Sequence, residues 1–111
     1  MMIFPLTALS GPAINERTLC NVAVAAFDNE DRATAHAILT YIREVMLALD
    51  GAYTARGQES ALASLNEESF GILIVAAAVR YCGRKPAATI HSQAVTAYNG
   101  FRAMRSGLGV Q

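Results

Sequence analysis

The sequence is short of charge, and after residue 68 it contains no acid at all. Charged side chains make up 16% of the 111 residues and hydrophobic ones 53%, against about 25% charged in an ordinary soluble domain. So few charges cannot cover the surface, and some apolar surface is expected to face a partner or a second copy of the chain. Nine basic and nine acidic residues cancel, but not evenly. Residues 1–68 carry a balance of −5, and residues 69–111, with Arg80, Arg84, Lys85, Arg102 and Arg105, a balance of +5. A neutral total argues against nucleic acid as the partner, because such domains carry a basic excess. The segregated halves either attract one another, within the fold or across a dimer, or leave an anion-binding half.

Cysteine is nearly absent. Cys20 and Cys82 stand alone, with no CxxC spacing and no even framework of bridges, so reduced thiols and a cytoplasmic setting are expected. Histidine is equally scarce. His36 and His91 fall on different segments from the cysteines and from each other, which supplies neither a zinc site with its short ligand spacings nor a marked Cys–His nucleophile. No Glu-x-x-His pair suits a metal inside a bundle, and the glycines form no phosphate loop. No catalytic set, metal or cofactor is therefore expected. The N-terminal MMIFPLTALSGP is apolar but lacks a basic lead and is interrupted by Pro5, so it does not read as a signal peptide.

Long hydrophobic runs are missing too. The longest, Phe70 to Val79, has ten residues, half of the about 20 that a membrane span requires. Glu67, Glu68 and Arg80 bracket it closely. A run of this length reads as a helix buried in the core and surrounded by other elements, with Ala76 at its buried middle.

What is present is helical periodicity. Gly11-Pro12 opens a helix over about 13–27. Asp28 or Asn29 caps a second, which runs to about Leu49 with Ala35, Ile38, Ile42, Val45 and Leu49 on one face; Asp50-Gly51 stops it. Residues 52–63 read as a loop with one short helix near 59–63. Ser64-Leu65-Asn66-Glu67 fits a capping box for the apolar helix, 67–82, which Gly83 ends. A last helix starts near Pro86. Ile90, Ala94, Ala97, Phe101, Met104 and Leu108 form its packing seam, and His91, Val95, Tyr98, Arg102 and Arg105 its polar edge. The expected fold is a single all-α domain, residues 1–111: a compact bundle of four main helices around the apolar 67–82 helix, with a short extended N-terminus at Ile3-Phe4.

The candidate binding residues follow from the basic half: Arg80, Arg84 and Lys85 at one helix end, and His91, Tyr98, Arg102 and Arg105 along the next helix. Arginine pairs offer bidentate contacts to phosphate or carboxylate. Arg102 and Arg105 lie roughly 25 Å from Pro86 along the helix axis, so one monomer does not unite the two groups in one compact site. The reading favoured by this site-poor composition is a non-enzymatic protein that binds a protein partner. It would be an inhibitor or adaptor of the kind that small mobile-element genes encode, and a homo-oligomer. The alternative is a module for a phosphate-bearing small ligand such as a nucleotide. Nucleic-acid binding through Thr89, His91, Ser92 and Gln93 ranks third.

Overall fold

A computed structural model describes residues 13–110. The expected extended N-terminus, Ile3-Phe4, lies outside the described residues, as does the side chain of Leu108. Four main helices make up the fold: α1 (Cys20–Asp28), α2 (Arg32–Ala55), α3 and α4 (Ile90–Val110). We use α3 for one continuous rod: an α-helix over Glu67–Ala76, a π turn over Ala77–Tyr81 and a final turn over Cys82–Arg84. α3 packs against each of the other three helices, so the all-α bundle with the apolar helix at its centre is as expected.

Three of the four helix starts have a side chain on an orphan amide, though not always the expected one; the start of α1, at Leu19, has none. Asp31 caps α2, accepting from the Thr34 amide at 3.2 Å and the Thr34 hydroxyl at 2.7 Å; these bonds hold its carboxyl below the usual carboxylate range. Glu30, at φ 56°, makes the left-handed step between α1 and α2 that lets Asp31 reach this position. Asn66 caps α3 through the Ser69 amide at 2.8 Å, in place of the Ser64 capping box. Thr89 caps α4 through the Ser92 amide at 3.1 Å.

α1 starts at Cys20, later than the 13–27 expectation, because Leu19 is extended and pairs with Thr89 in a single antiparallel bridge. The bonds Cys20 N–H to the Ala88 carbonyl at 2.7 Å and Ile90 N–H to the Thr18 carbonyl at 2.9 Å fasten the start of α1 to the turn before α4. That lateral tie brings Cys20 beside Cys82, and the two form a disulfide with Cα atoms 4.9 Å apart. The expected reduced thiols are thus corrected. The pairing has no local signature, since 62 residues separate its partners.

α2 does not stop at Asp50-Gly51. It runs on to Ala55, because Asp50 faces the interior and glycine inside a helix costs only about 1 kcal/mol. The stop is Gly57, at φ 85°. Its N–H bonds the Thr54 carbonyl and the Gln58 N–H bonds the Tyr53 carbonyl, both at 3.0 Å, which is a Schellman ending. The buried row of α2 is Thr34, Ile38, Ile42, Met46 and Asp50, so a polar residue closes each end. Ala35, Val45 and Leu49 of the expected face are half-buried beside it.

The π turn explains how α3 keeps one face inward. Phe70, Ile74, Ala78 and Cys82 are buried and four residues apart. In a straight α-helix such a series drifts about 40° per step, which would carry Cys82 away from Cys20. The wider turn, with its i→i+5 bonds, takes up that drift. It buries Ala77 and Ala78 fully and leaves Ala76 half-buried, so the centre of the run lies one residue later than expected. In α4, Ile90, Ala94 and Ala97 are buried as expected, but Met104 is exposed and Tyr98 is fully buried.

Candidate functional site

The expected basic site divides into three parts. The first is a closed cluster around Asp50, which is only 7% exposed. Its Oδ2 accepts from the Ser60 hydroxyl. Its Oδ1 accepts from the Ala61 amide at 2.9 Å, the Leu62 amide at 3.4 Å and the Tyr98 hydroxyl at 2.7 Å, with Arg102 Nη1 at 3.6 Å. Arg102 also donates to the Tyr98 oxygen at 3.0 Å and to the Glu59 carbonyl at 2.8 Å. Its guanidinium lies 3.8 Å above the Tyr53 ring. Burial alone would raise the Asp50 carboxyl, but the bonds from Ser60, Tyr98, Ala61 and Leu62 outweigh it and hold the group below the usual carboxylate range. The Tyr98 phenol moves the other way, pushed up to about 12 by burial and by its bond to Asp50. Arg105 donates to the Ser64 hydroxyl at 2.6 Å.

Tyr98 turns its hydroxyl inward on Asp50, Arg102 bridges that cluster to Glu59, and Arg105 bonds Ser64 at the surface, so the three together pin the 56–66 segment onto α2 and α4. A satisfied network of this kind fixes structure. Among the described residues, no buried side-chain nitrogen or oxygen lacks a partner. Sequence reasoning missed Asp50 because an Asp-Gly pair reads as punctuation. The signal that could have found it is its spacing, four residues beyond Met46 in the row 38, 42, 46.

The second part is His91. It is half-buried, and its Nδ1 shares a hydrogen bond of 2.8 Å with the Tyr41 hydroxyl. Burial, then the charge of Glu16, raises the Tyr41 phenol. The pair sits on an apolar cleft of about 310 Å³ lined also by Val45, Ala48 and Leu49.

The third part is Arg80, Arg84 and Lys85, all exposed at the far end of α3. The structure does not bring them to Arg102 and Arg105. Among the described residues, no group of three or more His, Cys, Asp or Glu side chains is placed to hold a metal ion, and no helix is long and apolar enough to cross a membrane.

The feature that sequence reasoning placed wrongly is the outer face of α3, where the apolar run was expected to be covered all round. Ile72 is 64% exposed, Val79 49% and Val75 43%. With Glu68 they recur at four, three and four residues, so they form one row along the helix. Clefts flank the row on both sides. One, about 220 Å³, lies against α2 between His36, Leu39, Thr40 and Arg43 and the α3 residues Gly71, Ile74 and Val75. The other, about 190 Å³, lies against α1 between Val24, Phe27 and Asp28 and the α3 residues Ala78, Val79 and Gly83. The result is an apolar ridge between two grooves. It is acidic at its start, with Glu67 and Glu68, and basic at its end, with Arg80, Arg84 and Lys85. Glu67 is engaged with Arg43 at 3.2 Å, and that bond and charge lower its carboxyl. Comparison of the chain with protein-family models, with curated proteins and with solved structures returns no match.

Proposed function

We propose that the protein is a non-enzymatic interaction module and that it works through the outer face of α3. The observation that carries this is the exposed row Ile72, Val75 and Val79 on a helix whose opposite side is the core. Isolated apolar residues on a surface are ordinary. Three in register on one helix, with a groove on each side, offer a partner helix the ridges and grooves by which helices pack. An inhibitor or adaptor acts by such a surface.

The alternative, a phosphate-bearing ligand in the basic half, retains Arg80, Arg84 and Lys85 as its cations. It loses support from Tyr98 and Arg102, which bond Asp50 and the Glu59 carbonyl, and in part from Arg105, which bonds the Ser64 hydroxyl through Nη1. The disulfide removes the ground for the cytoplasmic setting, since buried bridges of this kind persist where thiols are oxidised.

The test is affinity purification with the wild-type protein and with Val75→Arg in parallel. The module reading expects a partner that the wild type retains and the variant loses. The same partner recovered equally by both would show that this face is not the contact surface.

A further inference from the structure

The chemistry of the ridge identifies its first partner. We infer that the outer face of α3 pairs with the same face of a second copy, with the two helices antiparallel about a two-fold axis. The inference rests on the interaction-surface reading above and names its occupant.

Charge complementarity decides the orientation. The midpoint of the row lies between Val75 and Ala76. Glu68 is about 11 Å before it along the axis, Arg80 about 7 Å after it and Arg84 about 13 Å after it, at 1.5 Å per residue. Antiparallel pairing at this midpoint sets Glu68 of each copy between Arg80 and Arg84 of the other. The same operation sets Ile72 against the partner's Val79, and Val75 beside the axis. Parallel pairing would set acid on acid and cation on cation, which is repulsive. One arrangement thus satisfies the apolar row and both charged ends at once.

The surface is also self-complementary in shape. A two-fold interface presents one patch to itself, so it needs both a protrusion and a recess. Here the aliphatic ridge provides the protrusion and the flanking clefts the recess. Gly83 borders one cleft, and a Cβ added there would meet nothing within 4 Å. The backbone is therefore open to close approach at that edge.

The contact is small. Three aliphatic side chains with a charged rim belong at the low end of specific interfaces, under about 1,200 Å² in total, and a dissociation constant in the micromolar range is expected.

The test uses two complementary charge variants of the full chain, followed by sedimentation across micromolar concentrations. Glu68→Arg sets a cation against the partner's Arg80 and Arg84, and Arg80→Glu with Arg84→Glu sets acids against the partner's Glu68. Each variant alone turns both symmetric contacts repulsive and should pair about tenfold more weakly than wild type. Mixed in equal amounts, they restore attraction at both ends, and the mixed dimer should regain wild-type affinity within a few-fold. Val75→Arg should abolish pairing, while Leu47→Arg, a change at an exposed leucine of α2, should not. Thermal midpoints within a few degrees of wild type establish that the variants fold. A mixture no tighter than its components, or charge variants that pair like wild type, overturns the inference. A strictly monomeric wild type that still retains a Val75-sensitive foreign protein also overturns it, and leaves the interaction surface standing. A wild-type dimer indifferent to Val75→Arg overturns both.

Discussion

Replacing Asp50 by alanine should cost more stability than any other single polar truncation in the molecule. The carboxylate accepts from Ser60, Ala61, Leu62 and Tyr98 and faces Arg102. Ala61, Leu62 and Tyr98 are themselves buried, so three donors lose their acceptor where water does not readily replace it. Each stranded buried donor costs about 1–3 kcal/mol. Ser60 and Arg102 sit nearer the surface and rehydrate in part. Breaking a buried charge network by removing one partner typically costs about 3–5 kcal/mol, and that is the loss expected here. It is a large share of the about 5–15 kcal/mol that holds a domain folded. For a chain of this length it should lower the thermal midpoint by about 12–20 °C. Asp50→Asn keeps one carbonyl acceptor and should lose about half as much. Tyr98→Phe removes one donor from a loaded carboxylate and should lose about 1 kcal/mol. Scanning calorimetry on the oxidised protein measures all three. A drop of only a few degrees for Asp50→Ala, or an equal drop for all three variants, would refute the network as the anchor of the 56–66 segment.

The other predictions concern the disulfide, pH and the core. Reducing the Cys20–Cys82 bridge opens a loop spanning 62 residues and should cost about 4 kcal/mol, read as a fall in thermal midpoint on reduction that is absent in a Cys20→Ala/Cys82→Ala variant. The Asp50 carboxyl is lower in the folded chain than in the unfolded one. Its contribution is therefore present above the unfolded value near about 4 and is lost as pH falls through the folded value, so the acid limb of a stability–pH curve should be shallower for Asp50→Asn. At the alkaline end the raised Tyr98 phenol, at about 12, favours the neutral folded form. Stability should fall as pH rises above about 10, and Tyr98→Phe should flatten that limb. Ala77→Asp, at a fully buried site, should abolish the circular-dichroism signature of the fold, whereas Ala76→Asp should leave it in place.

Helix content and order were legible because 3.6-residue periodicity and length carry them. The ends were less so, since several residues compete for each cap. Asp28, Asn29 and Asp31 are equivalent as text, and only the left-handed Glu30 makes Asp31 the one that reaches an orphan amide. Gly51 and Gly57 compete in the same way for the end of α2, and the inward Asp50 decides between them. Tyr98 read as a polar edge because its hydroxyl counts as polar, yet its ring is core and its oxygen has a buried acceptor. The disulfide and the open face of α3 depend on which elements meet across the bundle, and neither leaves a local pattern. The −5 and +5 halves were visible from composition; that they border one apolar ridge was not.

The self-pairing face is tested most directly by orientation-specific crosslinking. Ile72→Cys and Val79→Cys are made separately, with the native cysteines already joined and buried, and each is oxidised alone and as an equal mixture. Antiparallel pairing sets position 72 of one copy against position 79 of the other, so the mixture should give a covalent dimer linking 72 to 79, faster than either variant alone. Equal crosslinking of Ile72→Cys with itself would mean parallel helices, and no covalent dimer in any sample would mean that this face does not meet its own copy.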